Sequence, residues 1–209
     1  MTRAVVFDLG GVLIDWNPRY LYRRLLPDAA SVEAFLAEVC TADWNHQQDA
    51  GRTVAEAVAE LSRRHPDRTE LIAAYYGRWE EMLGGALDGA VAILEELDAA
   101  RVPLYALTNW SRETFPIARR RFQFLERFRG IVVSGEEGAA KPDPRIYRAL
   151  LERYRLEPGG TLFIDDVARN VEAARSVGME SILYSSPAQL RRELAARSIP
   201  VDPAALTRR

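Results

Sequence analysis

Cysteine and histidine are nearly missing from this chain. Its 209 residues include one cysteine, Cys40, and two histidines, His46 and His65. A single cysteine excludes an internal disulfide and any cysteine-rich metal site. Two histidines leave a histidine-based zinc centre short of ligands. No uninterrupted apolar run approaches the roughly 20 residues that a membrane span needs. Charge of one sign is lacking too: 28 Lys and Arg against 30 Asp and Glu give a formal net charge of -2. Hence no molecule-wide field draws the chain to nucleic acid or to an anionic membrane. The basic runs Arg119-Arg120-Arg121 and Arg191-Arg192 lie in helical patterns and read as solvated helix faces. The opening has one arginine and a short apolar run broken by Asp8, which argues against a signal peptide. These absences point to a reduced, cytoplasmic, soluble protein with one core, or one core and a small appendage.

What is present is a change of rhythm along the chain. Ala4 to Phe7 is a short apolar, β-branched run that reads as a buried strand, and Asp8, Gly10 and Gly11 follow it at once. From about Trp16 to Gly85 the periodicity is helical, with no convincing strand. Helices are expected over Pro18 to Leu26, Ser31 to Cys40, Thr53 onward and Thr69 to Leu83. Thr53 with Glu56 forms a capping-box pattern, Thr41 to Gly51 reads as a loop, and Gly84-Gly85 as a helix stop. Beyond Leu87, strands at Val102 to Leu107, Gly130 to Val133, Thr161 to Ile164 and Ser181 to Tyr184 alternate with helices. This alternation predicts an α/β fold with a doubly wound parallel sheet, and residues 203–209 read as a frayed tail.

A parallel sheet of this kind keeps its ligand crevice at the carboxyl ends of its strands. Four loops would meet there, carrying Asp8 and Gly10, then Thr108 and Asn109, then Lys141 between Ala140 and Pro142, then Asp165 and Asp166. Taken singly, each has an ordinary explanation: a turn former, a helix cap, a surface lysine. Placed together they form a chemical set. Three crowded carboxylates call for a cation, and hard oxygen ligands suit magnesium. A lysine beside the metal can neutralise a phosphoryl group, and Asp8 is placed to act as a nucleophile.

The four ordered stretches Phe7-Asp8-Leu9-Gly10-Gly11-Val12, Leu107-Thr108-Asn109, Lys141-Pro142-Asp143-Pro144 and Phe163-Ile164-Asp165-Asp166 resemble the haloacid dehalogenase-like hydrolases. Asn170, four residues beyond Asp166, fits the same pattern. The resemblance implies a Rossmann-like core over 1–15 and 86–209, with a small helical cap over 16–85. It also implies a magnesium-dependent phosphatase that works through an aspartyl-phosphate on a small phosphorylated molecule, as a monomer or weak homodimer. Asp8, Lys141 and Thr108 would be catalytic. Asp8, the Gly10 carbonyl, Asp165 and Asp166 would hold Mg2+, and Thr108, Asn109 and Lys141 would bind phosphate. On the cap side, Trp16, Trp44, Asn45, His46 and Gln47 are candidates for substrate contact, with Trp110 opposite, although a tryptophan in so small a bundle is more often core than binding platform.

One departure stands out. Phosphatases of this family usually carry a second aspartate two residues after the nucleophile, as general acid and base, and here that position is Gly10. The combination is similar to a branch that includes an α-glucose 1-phosphate phosphatase, which makes sugar 1-phosphates the first substrate expectation. Asp15 is a candidate substitute acid, against the simpler reading that it bonds locally at the cap hinge. Two alternatives remain at this stage: a metal-independent 2-haloacid dehalogenase, and a catalytically weak protein that binds a phosphorylated ligand.

Overall fold

The computed structural model describes residues 4–202; the tail expected to fray, 203–209, lies outside them. The strands in chain order are β1 (Ala4–Phe7), β2 (Ile14–Trp16), β3 (Leu83–Ala86), β4 (Leu104–Thr108), β5 (Gly130–Val133), β6 (Thr161–Asp165) and β7 (Glu180–Leu183). Five of them form one sheet in the order β5-β4-β1-β6-β7, and every pairing in it is parallel. After β1 the chain builds outward on one side through β4 and β5. It then returns to build the other side through β6 and β7. The reversal lies beside β1, so the crevice opens past Phe7, between the ends of β4 and β6. The doubly wound parallel sheet read from the sequence is therefore the fold.

Strand residues alternate between the two faces, as the period of two requires. Val5, Phe7, Leu104, Ala106, Leu162 and Ile164 enter one core. Ala4, Val6, Tyr105, Leu107 and Phe163 enter the other. On the first face pack the helices Asp88–Ala99 and Pro187–Ala196, through Leu94, Leu97, Leu190 and Leu194. On the second packs Pro144–Tyr154, through Ile146, Tyr147 and Leu150. No helix among the described residues is long and apolar enough to cross a membrane.

The block between the first and second sheet strands departs from expectation at its base. Strands β2 and β3 pair antiparallel as a two-stranded ribbon that carries the chain out of the sheet and back. Three- and four-residue strands, one of them Leu-Gly-Gly-Ala, are too short for a period-two pattern, so they read as coil and helix stop. Gly84 is needed there: a Cβ would lie 2.1 Å from the Asp15 carboxylate.

Within the block the helices are Arg19–Tyr22, Ala29–Glu38, Ala42–Asp49, Val54–Arg64 and Thr69–Gly77, with a 3-10 turn at Trp79–Met82. Thus the Pro18 to Leu26 helix is a single turn, and the Thr69 to Leu83 helix breaks after Gly77. The stretch Thr41 to Gly51, expected as a loop, is a helix whose N-terminus is capped by the Thr41 hydroxyl on the Trp44 amide. Its buried face is polar, with Asn45, Gln48 and Asp49 beside Trp44, so apolar periodicity could not reveal it. The Thr53–Glu56 capping box is present. An aromatic cluster of Tyr22, Phe35, Trp44, Tyr75, Tyr76 and Trp79 fills the block.

Arg191 corrects another expectation, because it does not lie on a solvated face. It is 2% exposed and donates to both oxygens of Glu96, at 2.5 and 2.6 Å. A buried guanidinium whose partner is removed keeps the cost of its desolvation. Glu96→Ala should therefore lower the unfolding free energy by about 1–3 kcal/mol, read as a lower urea midpoint at constant slope. An unchanged midpoint would mean that solvent screens the pair.

Candidate active site

Strand β1 ends at the switch point and delivers Asp8 there. The Asp8 amide donates to the Ile164 carbonyl at 2.8 Å, and its own carboxylate accepts the Leu9 amide at 2.7 Å. A tight turn follows in which the Leu9 carbonyl accepts the Leu13 and Ile14 amides, each at 2.8 Å. Gly11 lies in the left-handed region (φ 75°), and a Cβ on it would come within 2.3 Å of an Asp166 carboxylate oxygen. Only glycine lets the two loops approach so closely.

Lys141 reaches this point from the loop after β5 and is 1% exposed. Its ammonium lies 2.8 Å from Asp8 Oδ1 and 2.7 Å from Asp165 Oδ2. Asp165, at the end of β6, is fully buried. It accepts the Val167 amide at 2.8 Å and the Asn170 side chain at 3.0 and 3.1 Å. Asp166 is exposed, and carboxylate oxygens of Asp8, Asp165 and Asp166 all lie within 4.8 Å of one another.

Two buried carboxylates facing one ammonium leave a negative charge uncompensated where water is mostly excluded, and the exposed Asp166 adds another beside it. Burial pushes the Asp8 carboxyl up against the pull of Lys141, and Asp165 and Asp166 add to the rise. For Lys141, burial works downward, but the attraction of Asp8 and Asp165 outweighs it and the ammonium is held above its ordinary range. The donor set is all hard oxygen, the ligand type that a small divalent ion such as magnesium prefers. Asp8, Asp165 and Asp166 could therefore hold a metal.

The remaining expected residues fall in three places. Thr108 is buried at the end of β4. Asn109 turns its side chain to Lys141: its amide donates to the Lys141 carbonyl at 2.9 Å and its oxygen accepts the Lys141 amide at 2.8 Å. It positions the lysine, and only its remaining N–H groups are left for a phosphate. A cavity of about 70 Å3 opens beside these residues, walled by Gly10, Trp16, Asn45, Asp49, Trp79, Asn109 and Trp110. Trp44 and His46 are not among its walls. Trp44 belongs to the aromatic core, edge-on to Tyr75 at 5.2 Å, and His46 lies half-buried on another side of the same helix. Asp15 also stays out of the cavity and accepts the Tyr20 hydroxyl at 2.6 Å.

Of the residues expected on the cap side, Trp16 and Asn45 line the cavity, as does Trp110 opposite, and Asp49, which was not expected, joins them. Asn45 and Asp49 are four residues apart on one helix and so share a face. Had Thr41 been read as an N-cap, that spacing would have marked Asp49. The Asp49 carboxyl is 8% exposed and accepts the Asn45 amide at 3.0 Å. Burial pushes its pKa up to about 7, with the Ser111 backbone amide and the Lys141 charge pulling the other way.

Residues 2–178 match the family model described as haloacid dehalogenase-like hydrolase. The chain is 28% identical over 179 residues to a sesquiterpene phosphatase of Aspergillus oryzae, covering 85% of this chain and 87% of that protein. It is 27% identical over 182 residues to a phosphorylated carbohydrates phosphatase of Thermotoga maritima, covering 86% and 83%. A match of 27% over 211 residues to mouse acyl-CoA dehydrogenase family member 10 takes in 93% of this chain but only 19% of that protein. Among solved structures, a HAD family enzyme of Bacteroides thetaiotaomicron in complex with magnesium and inorganic phosphate superposes with a TM-score of 0.67. It is 23% identical, over 88% of this chain and 95% of that one.

The raised Asp49 pKa has a consequence for stability. The folded chain holds the proton to higher pH than the unfolded chain, whose value is near 3.8. Stability is therefore lost as pH rises from about 4 to about 7, where the carboxylate must be buried charged. Asp49→Asn removes that cost. The variant should be more stable than the parent at pH 8, by up to about 4 kcal/mol for a shift of about three units, and the gap should shrink toward pH 5. Urea titrations at the two pH values check this, and a gap independent of pH would contradict it.

Proposed function

The chain belongs to the haloacid dehalogenase-like hydrolases, and from that premise we propose that it is a magnesium-dependent phosphomonoesterase acting on a small phosphorylated metabolite. The observation that carries this reading is the Lys141 ammonium held between Asp8 and Asp165, with Asp166 completing a three-carboxylate cluster at the sheet's switch point. Asp8, Asp165, Asp166 and the Gly10 carbonyl would hold Mg2+, which would supply positive charge to the phosphoryl oxygens. Lys141 adds a second positive charge on the same oxygens, and the Thr108 hydroxyl and the amides opening the next turn orient them. Asp8 attacks phosphorus, the ester oxygen leaves, and water then attacks the aspartyl-phosphate to free phosphate and restore the carboxylate.

Residues 16–85 serve as the cap in this reading, and 1–15 with 86–209 as the catalytic core. The cavity lies between them and excludes water while the ester reacts. Its walls suit a sugar. Trp16, Trp79 and Trp110 offer flat apolar faces, and Asn45 adds a polar edge. A sugar phosphate, with the sugar 1-phosphates first, is the substrate class we propose. The likeness to a Thermotoga phosphatase named for phosphorylated carbohydrates supports that choice.

A metal-free dehalogenase would also use Asp8, attacking carbon. That chemistry gains nothing from two further carboxylates beside the nucleophile, whose repulsion would only raise its pKa. The cluster thus favours phosphoryl transfer.

Phosphate release from a panel of esters, with and without magnesium, tests the reading. Sugar phosphates should be turned over only with the metal, and Asp8→Asn should lower the rate by about 10⁴-fold or more, as loss of a nucleophile does. Halide release from 2-haloacids without metal, and no phosphate from any ester, would refute it.

A further inference from the structure

A reaction that expels an alkoxide and later splits water needs a proton donor and acceptor, and Gly10 leaves the Asp8 loop without one. The structure offers a different source. Among the described residues that wall the cavity, Asp49 is the only one with a titratable side chain. It lies on the helix Ala42–Asp49, across the cavity from the Asp8 loop. A side chain at Gly10 would meet nothing within 4 Å, so the space an acid on that loop would use is open. Asp15, the nearer sequence candidate, is engaged with Tyr20 and stays outside.

The setting of Asp49 is unusual for a structural carboxylate. Among the described residues no ion pair holds it, and Lys141 acts on it only from a distance, although a buried charge is normally paired. Instead a relay of neutral groups orients it. The Gln48 amide donates to the Tyr76 hydroxyl at 3.2 Å, that hydroxyl donates to Asn45 Oδ1 at 2.9 Å, and Asn45 Nδ2 donates to Asp49 at 3.0 Å. The groups facing the carboxyl are Asn45 on its own helix, Tyr75 and Tyr76 from the helix Thr69–Gly77, and the Ser111 amide and Lys141 from the core. In these surroundings the carboxyl titrates at about 7. Both of its protonation states are therefore populated near neutrality, as a group that first gives and then takes a proton requires.

We propose that Asp49 is the general acid and base of the reaction, supplied by the helical block across the cavity from Gly10. This rests on the phosphomonoesterase reading above. In the first step the Asp8 oxygen bonds to phosphorus, the ester P–O bond breaks, and its electron pair stays on the leaving oxygen. That oxygen takes the Asp49 proton and departs as an alcohol. In the second step the Asp49 carboxylate takes a proton from water as the water oxygen bonds to phosphorus. The Asp8–phosphorus bond breaks, and Asp8 returns as carboxylate with Asp49 protonated again. The block that forms the far wall of the cavity thus also completes the chemistry.

The test compares kcat/KM for a simple alkyl phosphate, whose leaving oxygen needs a proton, with that for p-nitrophenyl phosphate, whose leaving oxygen does not. With magnesium present, Asp49→Asn should lower the alkyl value by about 10² to 10⁴-fold and the nitrophenyl value by less than about tenfold. Adding Gly10→Asp to that variant, which fills the open space with a carboxyl, should recover at least about tenfold on the alkyl ester. Equal losses on both esters, or no loss on either, would overturn the role of Asp49 while leaving the phosphatase reading intact. If the parent protein releases phosphate from neither ester, the phosphatase reading itself fails and takes this role with it.

Discussion

Everything at this site depends on a buried charge imbalance. Lys141 is held in direct contact with two carboxylates, Asp8 and Asp165, and a third, Asp166, sits close enough to share a cation with them. In a dry crevice such an excess is costly unless something positive arrives. The rest of the molecule can be understood as holding that imbalance in place. Strand β1 lies at the centre of a parallel sheet and stops where the winding reverses. The neighbouring strands β4 and β6 end beside it, the loop after β5 comes in alongside, and Asn109 fixes the Lys141 backbone from both sides.

The helical block stands on the β2–β3 ribbon and brings a second kind of chemistry to the cavity. The core side is ionic and oxygen-rich, whereas the block contributes tryptophan faces and one carboxyl held by neutral partners. Burial has opposite uses on the two sides. It raises the need for a metal around Asp8, and it tunes Asp49 toward neutrality. On the proposed reading, Gly10 leaves the Asp8 loop without an acid, and the work is divided between the sheet and the insertion.

How much of this could be read from the sequence varied with the strength of local pattern. The parallel sheet was legible because each of its strands is a buried apolar run set off by turn residues, and the four loops at its edge carry distinctive residue types in order. Asp8, Lys141, Asp165 and Asp166 were placed together on that basis, and the structure brings them within contact or metal-sharing distance. The cap side was less legible. The helix Ala42–Asp49 buries polar residues, so its periodicity is invisible to an apolar count, and with it went Asp49. Strands β2 and β3 are defined by pairing across the whole insertion, and Arg191 is buried by a partner 95 residues away. Long-range contacts of that kind leave no mark in a local window.

In the proposed reaction everything turns on Asp8 receiving the phosphoryl group. The most direct measurement is mass spectrometry of the protein after acid quench of a reaction with magnesium and p-nitrophenyl phosphate. One phosphoryl group is expected on the peptide that contains Asp8, and none in Asp8→Asn. Phosphate released at full rate with that peptide never modified would contradict it.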